Sequence, residues 1–277
     1  MSERSHHGRV SVAGEQGPYY KGLASIYAEA LEYLEWAPQY ERIRAEFGFP
    51  FAREERAAAL LESLLPDAAR TDPLGRVRAR LAGRDVIVLG LAPDAGPPPL
   101  WRLPPSTPEP ALLAADGATA TCLEAGLVPS VIVTDLDGPV PALLAANRRG
   151  SLVVIHGHGD NLAELEEWVP QFSGELAGSW AGPPRASLLD VGGFTDGDRA
   201  AYLAEHVGAR RILLWGFDFE RVDELEPSGA ARKLAKLRWA RALLGNLAAV
   251  GRVPLLVFER DGSLVPYPGG NSAASTR

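Results

Sequence analysis

The 277-residue chain has one cysteine, Cys122, one methionine and only three lysines, Lys21, Lys233 and Lys236. A lone cysteine excludes an intrachain disulfide and any zinc site built on cysteines, and it points to a reducing cytoplasm. Long apolar runs are missing: the longest, such as Val86 to Ala92, fall far short of a membrane span. The opening MSERSHHGRV has no apolar core, so no signal peptide is expected there. Basic excess is missing too. There are 28 basic against 35 acidic residues, a net charge of −7, which argues against a nucleic-acid-coating protein. Anionic substrates stay possible if a metal ion supplies positive charge. No membrane and no nucleic-acid partner is expected, and homo-oligomerisation stays open. The scarcity of lysine fits a GC-rich genome, and the scarcity of cysteine, methionine, asparagine and glutamine also suits a thermophile.

Three nucleotide or nucleophile motifs are also absent. No glycine precedes a lysine, so there is no phosphate loop of the Gly-Lys-Ser/Thr kind. Gly90 and Gly96 stand six apart with Pro93 between, which is not a dinucleotide fingerprint. No Gly-x-Ser-x-Gly elbow occurs.

What is present divides into two stretches. Residues 1–82 read as a helical segment with a polar, frayed start. Trp36, Tyr40, Ile43 and Phe47 recur at helical spacing within a helical stretch from Lys21 to Phe47, and Pro38 predicts a break or a new start there. Arg53 to Leu65 reads as a second helix stopped by Pro66, and Leu74 to Leu81 as a third. Residues 83–277 alternate short apolar runs with helical stretches. The runs are Val86–Gly90, then those ending at Asp116, Asp135 and His156, one around Leu188, and those ending at Gly216 and Phe258. Uninterrupted apolar strands between helices predict an α/β fold with a mostly parallel, Rossmann-like sheet. Eight prolines between Pro93 and Pro110 predict a flap or spacer.

Ligands of such sheets sit at the carboxyl ends of the strands. There the chain carries Gly90, Asp116-Gly117, Asp135-Leu136-Asp137-Gly138, His156-Gly157-His158-Gly159-Asp160-Asn161, a Gly-rich turn with Thr195, Asp196, Asp198 and Arg199, and Gly216-Phe217-Asp218. Asp135 and Asp137, two apart on a turn closed by Gly138, can face one hard cation such as Mg²⁺; the alternative is a helix cap and a solvated carboxylate. His156 and His158 can bind metal or phosphate, or be structural. Asn161 stands where a binuclear zinc hydrolase would need another ligand. Asp196 and Asp198 suit a helix start as well as a ligand. Lys233 and Lys236 can meet phosphates or form a solvated basic face. Cys122 reads as a small packed residue.

Taken together, LGLAPDAG, ADGATATCLEAGLVPSVIVTDLDG, VIHGHGDN, GGFTDGDRA, LLWGFDF and KLAKLRWA resemble the archaeal 6-hydroxymethyl-7,8-dihydropterin diphosphokinases of the MptE-like group, from about Trp36 to Phe258. The stretch around DLDG is also similar to thiamine pyrophosphokinases. The first turn departs from the group's Gly-x-Gly-Pro-Ser-Leu: Ala92 replaces a glycine and Asp94 the serine. The resemblance implies transfer of the terminal diphosphate of ATP to the pterin hydroxymethyl group, with release of AMP, in folate- or methanopterin-type cofactor biosynthesis. It implies Mg²⁺ on Asp135 and Asp137, and nucleotide or phosphate contacts from Gly90, Asp116, Gly117, Thr119 and Arg199. His156, His158, Asp160, Lys233 and Lys236 become candidates along the phosphate path. Thr195, Asp196, Asp198 and Asp218 are expected at the pterin, with Asp196 reading its amidine edge. The alternatives are a thiamine pyrophosphokinase-like enzyme, a zinc-dependent hydrolase and a non-catalytic nucleotide-binding module.

Overall fold

The computed structural model of the protein describes residues 36–100, 103, 109–222, 227–259 and 262–268. The expectations for the first 35 residues, and for most of the middle of the proline-rich loop, fall outside these.

Nine strands form one sheet: β1 (Asp85–Leu89), β2 (Ala111–Ala115), β3 (Val131–Thr134), β4 (Leu152–His156), β5 (Leu176–Ser179), β6 (Leu188–Leu189), β7 (Arg211–Trp215), β8 (Leu255–Phe258) and β9 (Leu264–Pro266). Their order is β6-β5-β4-β3-β2-β1-β7-β8-β9, parallel throughout except for the antiparallel pair β8 and β9. The chain thus steps outward from β1 to β6, then crosses back to β7 on the other side of β1. That reversal places a crevice at the carboxyl ends of the central strands.

Strands β1 to β4 are buried at every residue, which is why their sequences read as unbroken apolar runs. Alternate side chains point to opposite faces. Ile87, Leu112, Ile132, Val153 and Ile155 pack in one layer with α2 (Phe51–Leu64), α5 (Ala118–Glu124), α6 (Val140–Arg148) and α7 (Leu162–Trp168). Val86, Val88, Leu113, Val131 and Val154 pack in the other with α4 (Pro73–Leu81), α8 (Asp196–His206) and α9 (Pro227–Val250). A one-turn helix, α3 (Asp67–Arg70), joins α2 to α4. It was not foreseen.

The helical front packs directly on this framework. Ala57, Ala58 and Leu61 of α2 are fully buried in the first layer. Helix α1 (36–47) runs unbroken past Pro38, which lies in its first described turn. Its stripe of Trp36, Tyr40 and Ile43 is buried with Ala181 and with Leu243 of α9. Glycines in the loop after β4 make room for α2. A Cβ on Gly159 would come within 2.6 Å of the Arg53 side chain, and one on Gly157 within 3.1 Å of the Ala57 carbonyl oxygen.

Among the described residues, no helix is long and apolar enough to cross a membrane.

Candidate active site

Two roomier hollows lie on the molecule, one lined by residues including Asp72, Arg78 and Arg185, the other by Trp36, Tyr202 and Asn246. The strand-end chemistry gathers elsewhere, in a small cleft of about 40 Å³ that contains Asp135, His156, His158, Asp196, Arg199 and Lys236, with Tyr40, Phe49, Glu54 and Phe194.

The sheet side of this cleft rests on a left-handed turn. Leu136 has φ +69°, and its amide donates to the Thr134 hydroxyl at 2.9 Å, which presents Asp135 and Asp137 on either side. Thr134 in turn donates to Asp116 at 2.5 Å, tying the ends of β2 and β3 together. Gly138 is required here, because a Cβ would fall 1.7 Å from an Asp116 carboxylate oxygen. Asn161 fastens the next loop: its side-chain amide donates to the carbonyls of Asp135 and His156, both at 2.8 Å, and its oxygen accepts from the His158 amide at 3.0 Å. The residue that departs from a zinc-hydrolase pattern is therefore a clamp between two site loops.

The imidazoles have separate partners. His158 Nδ1 accepts from the Asp160 amide at 3.3 Å, which assigns the proton to Nε2, and Nε2 donates to Asp135 at 3.3 Å. His156 is buried, with Nδ1 3.1 Å from the Ser179 hydroxyl. Ser179 has the Ile155 carbonyl as its own acceptor at 3.4 Å. The arrangement gives the Nδ1 proton of His156 to Ser179 and leaves Nε2 as the basic nitrogen. Burial, then the Arg199 charge, hold His156 well below its usual proton affinity, so the ring is neutral.

The carboxylates crowd one another. Burial raises Asp116, and the Asp135 charge adds to that. Burial, then Asp135 and Asp116, push Asp137 up to about 7, although Lys236 pulls the other way. Burial followed by Asp135 and Asp116 raises Asp196 well above the carboxylate range. Only Asp135 is lowered: burial opposes ionisation, but the bond from His158 outweighs it. This excess of negative charge fits a divalent cation. Among the described residues no three such side chains converge to hold a metal alone. Two carboxylates completed by phosphate and water oxygens is the usual Mg²⁺ pattern.

Several sequence candidates lie elsewhere. Asp160 points out to Arg53 at 3.5 Å. Asp198 gives both carboxylate oxygens to the start of α8: it accepts from the Phe194 amide at 2.6 Å, the Thr195 amide at 2.8 Å and the Thr195 hydroxyl. Asp198 and Thr195 therefore form a capping box, and neither is free for a pterin. Asp218 accepts from the amides of Glu220 and Arg221 and from the Arg221 guanidinium within its own loop. Thr119 is fully buried, its hydroxyl without a partner among the described residues, so it offers a nucleotide nothing. Lys233 is exposed and outside the cleft. Gly90 lies against Gly216, and Gly117 caps α5. Asp94 turns outward, 3.6 Å from Arg221.

Tyr40, Phe49 and Glu54 were not anticipated. Glu54 is 4% exposed and accepts from the Tyr40 hydroxyl at 3.2 Å. A signal did exist: Glu54, Ala57, Ala58 and Leu61 stand at positions 0, 3, 4 and 7 of one helix face, and all are buried.

A doubly wound parallel sheet with carboxylates, imidazoles and a lysine at its carboxyl ends is the framework of an α/β enzyme. Residues 105–224 match the pattern of the family described as 6-hydroxymethylpterin diphosphokinase MptE-like. Three archaeal relatives are each named 6-hydroxymethyl-7,8-dihydropterin pyrophosphokinase. The one from Pyrococcus furiosus is 37% identical over 248 residues, covering 83% of this chain and 100% of its own. That from Methanothermobacter thermautotrophicus is 35% identical over 235 residues, covering 80% and 98%. That from Methanocaldococcus jannaschii is 32% identical over 233 residues, covering 78% and 96%. The chain belongs to the MptE-like family of pterin diphosphokinases.

Proposed function

We propose that the protein transfers the terminal diphosphate of ATP to the hydroxymethyl oxygen of 6-hydroxymethyl-7,8-dihydropterin and releases AMP. The observation that carries the reading is the crowding of four aspartates at the strand ends, Asp135 and Asp196 in the cleft with Lys236 and Asp116 and Asp137 coupled to them, in a chain of this family.

In this reaction the hydroxymethyl oxygen forms a bond to the β-phosphorus, and the bond from that phosphorus to the oxygen of AMP breaks. The AMP oxygen takes the bonding pair and the hydroxymethyl proton must be accepted. Asp135 and Asp137 would hold Mg²⁺, which when bound neutralises phosphate charge. Asn161 and the turn at Leu136 keep those carboxylates in place before substrate arrives. Lys236 offsets phosphate charge from α9. His158 is engaged at both nitrogens and serves to orient Asp135. His156 is neutral, so its second nitrogen can accept a hydrogen bond that orients the hydroxymethyl group, while its lowered proton affinity makes it a weak base. Positioning and electrostatic stabilisation carry most of the acceleration in such transfers.

The test is to incubate the full chain with ATP, Mg²⁺ and the reduced pterin and to identify the nucleotide product. AMP in proportion to pterin diphosphate is expected. ADP, or AMP released equally without pterin, would overturn the proposal.

A further inference from the structure

The pterin ring carries its reactive hydroxymethyl group at one end of the fused system and its recognition edge at the other. That edge presents two adjacent donors, the 2-amino group and N3–H, followed by the acceptor O4. A carboxylate matches the two donors in a two-pronged contact, and a guanidinium matches the acceptor. The reader of this edge should therefore stand apart from the phosphate-handling carboxylates.

Asp196 does not meet that condition. Burial first, then the charges of Asp135 and Asp116, raise its proton affinity, so it belongs to the crowded acidic end of the cleft. Glu54 meets it. It comes from α2 on the helical wall, is almost wholly buried, and has the Tyr40 hydroxyl as its described donor. One neutral donor leaves a buried carboxylate poorly satisfied, which is costly unless something else completes it. Arg199 shares the cleft and is also 4% exposed. Its Nη2 donates to the Phe194 carbonyl at 3.1 Å, while its Nε has no partner among the described residues. The electrostatic influence of both Glu54 and Arg199 reaches Tyr40. Half-buried aromatic rings stand beside this pair: Phe49 and Phe194 line the cleft with centroids 6.4 Å apart, and Phe47 packs on both. They offer an apolar wall to a heterocycle, with the Phe49 and Phe194 rings tilted 54° to each other and Arg232 over the Phe49 ring at 5.4 Å.

We infer that Glu54, with Arg199 beside it, reads the donor-donor-acceptor edge of the pterin, so that the helical front supplies substrate specificity and the sheet supplies the chemistry. This rests on the pterin reading above.

Equilibrium dialysis of the full chain with pterin and with lumazine, which carries a carbonyl in place of the 2-amino group, tests it without turnover. The native protein should bind pterin roughly 10–100-fold tighter than lumazine. In Glu54→Gln the side-chain amide can donate to that carbonyl, and the ratio should fall to near one. A ratio is insensitive to the fraction of protein folded. If Glu54→Gln does not fold, Glu54→Asp, which retracts the carboxylate by one methylene, should also lower the ratio. Phe49→Ala removes stacking surface and no hydrogen-bonding group, so it should weaken both ligands and leave the ratio unchanged. A native ratio in either carboxylate variant, or no preference in the native protein, overturns the inference. If the native protein releases AMP with the reduced pterin while Glu54→Gln keeps its preference, this inference alone fails. If native protein neither binds pterin nor releases AMP, the functional reading fails with it.

Discussion

The two ends of the sheet treat carboxylates in opposite ways. At the amino end, Asp85 opens β1 and is 1% exposed. It accepts from Arg210 Nε at 2.8 Å and from Arg211 Nε at 3.0 Å, with a further bond from Arg211 Nη2. Burial alone would raise its proton affinity, but the two guanidiniums outweigh that and hold it at about 2. At the carboxyl end, Lys236 acts on Asp137, Arg199 on Asp196 and one bond from His158 on Asp135, yet Asp137 still rises to about 7. The first arrangement is complete in itself. The second is short of positive charge, which the proposed Mg²⁺ would supply.

The largest expected effect falls at the incomplete end. Asp135→Asn should lower AMP formation by roughly 10²–10³-fold, the cost of removing one preorganised charge contact, and leave the melting temperature nearly unchanged. Full activity would remove Asp135 from the reaction. Next comes the complete end. Asp85→Asn strands two partly exposed guanidiniums, so chemical denaturation should show a loss of about 2–3 kcal/mol, with activity per folded molecule preserved. The pH dependence has a definite sign. The Asp85 carboxylate binds its proton more weakly folded than unfolded, so its stabilisation is present above an ordinary value near 4. It is lost as pH falls from there through about 2, and the native-minus-variant difference should vanish over that window. A third measurement contrasts the ends directly. Mg²⁺ at a hundred times its dissociation constant should stabilise native protein and Asp85→Asn by about 2.7 kcal/mol, and chelator should reverse it. Asp135→Asn should show little of this shift; an undiminished shift would place the cation elsewhere. The smallest effect is Asp137→Asn in metal-free buffer. Relief of repulsion should raise stability by on the order of 1 kcal/mol, the usual trade of function against stability.

Much of the framework was legible because buried parallel strands between helices leave unbroken apolar runs. β5 was not, since Leu176-Ala177-Gly178-Ser179 has no β-branched residue and a central glycine. β9 is three residues of an antiparallel edge, too short to show a period. Of the residues singled out because strand ends concentrate function, the structure brings Asp135, His156, His158 and Asp196 into one cleft, with Asp137 on the adjoining turn. Asp198 and Asp218 looked the same in sequence, yet their oxygens are spent on nearby amides, a difference set by loop geometry that composition does not record. Glu54 was hidden for the opposite reason: a glutamate in AREERAAALLESLL reads as a solvated helix charge until the helix is seen docked by its small residues.

The cleft draws Tyr40 and Glu54 from the first fifth of the chain and Lys236 from the last fifth, with the loops of β3 and β4 between. During synthesis, a nascent chain can finish its central strands long before it owns a working cleft. Helix α9 must emerge and dock against α1 before Lys236 can face Asp137, so a chain stalled before α9 holds the acidic loops without their lysine. Prematurely ended products would thus be inert, and competence would arrive late and all at once, on release of the final helix.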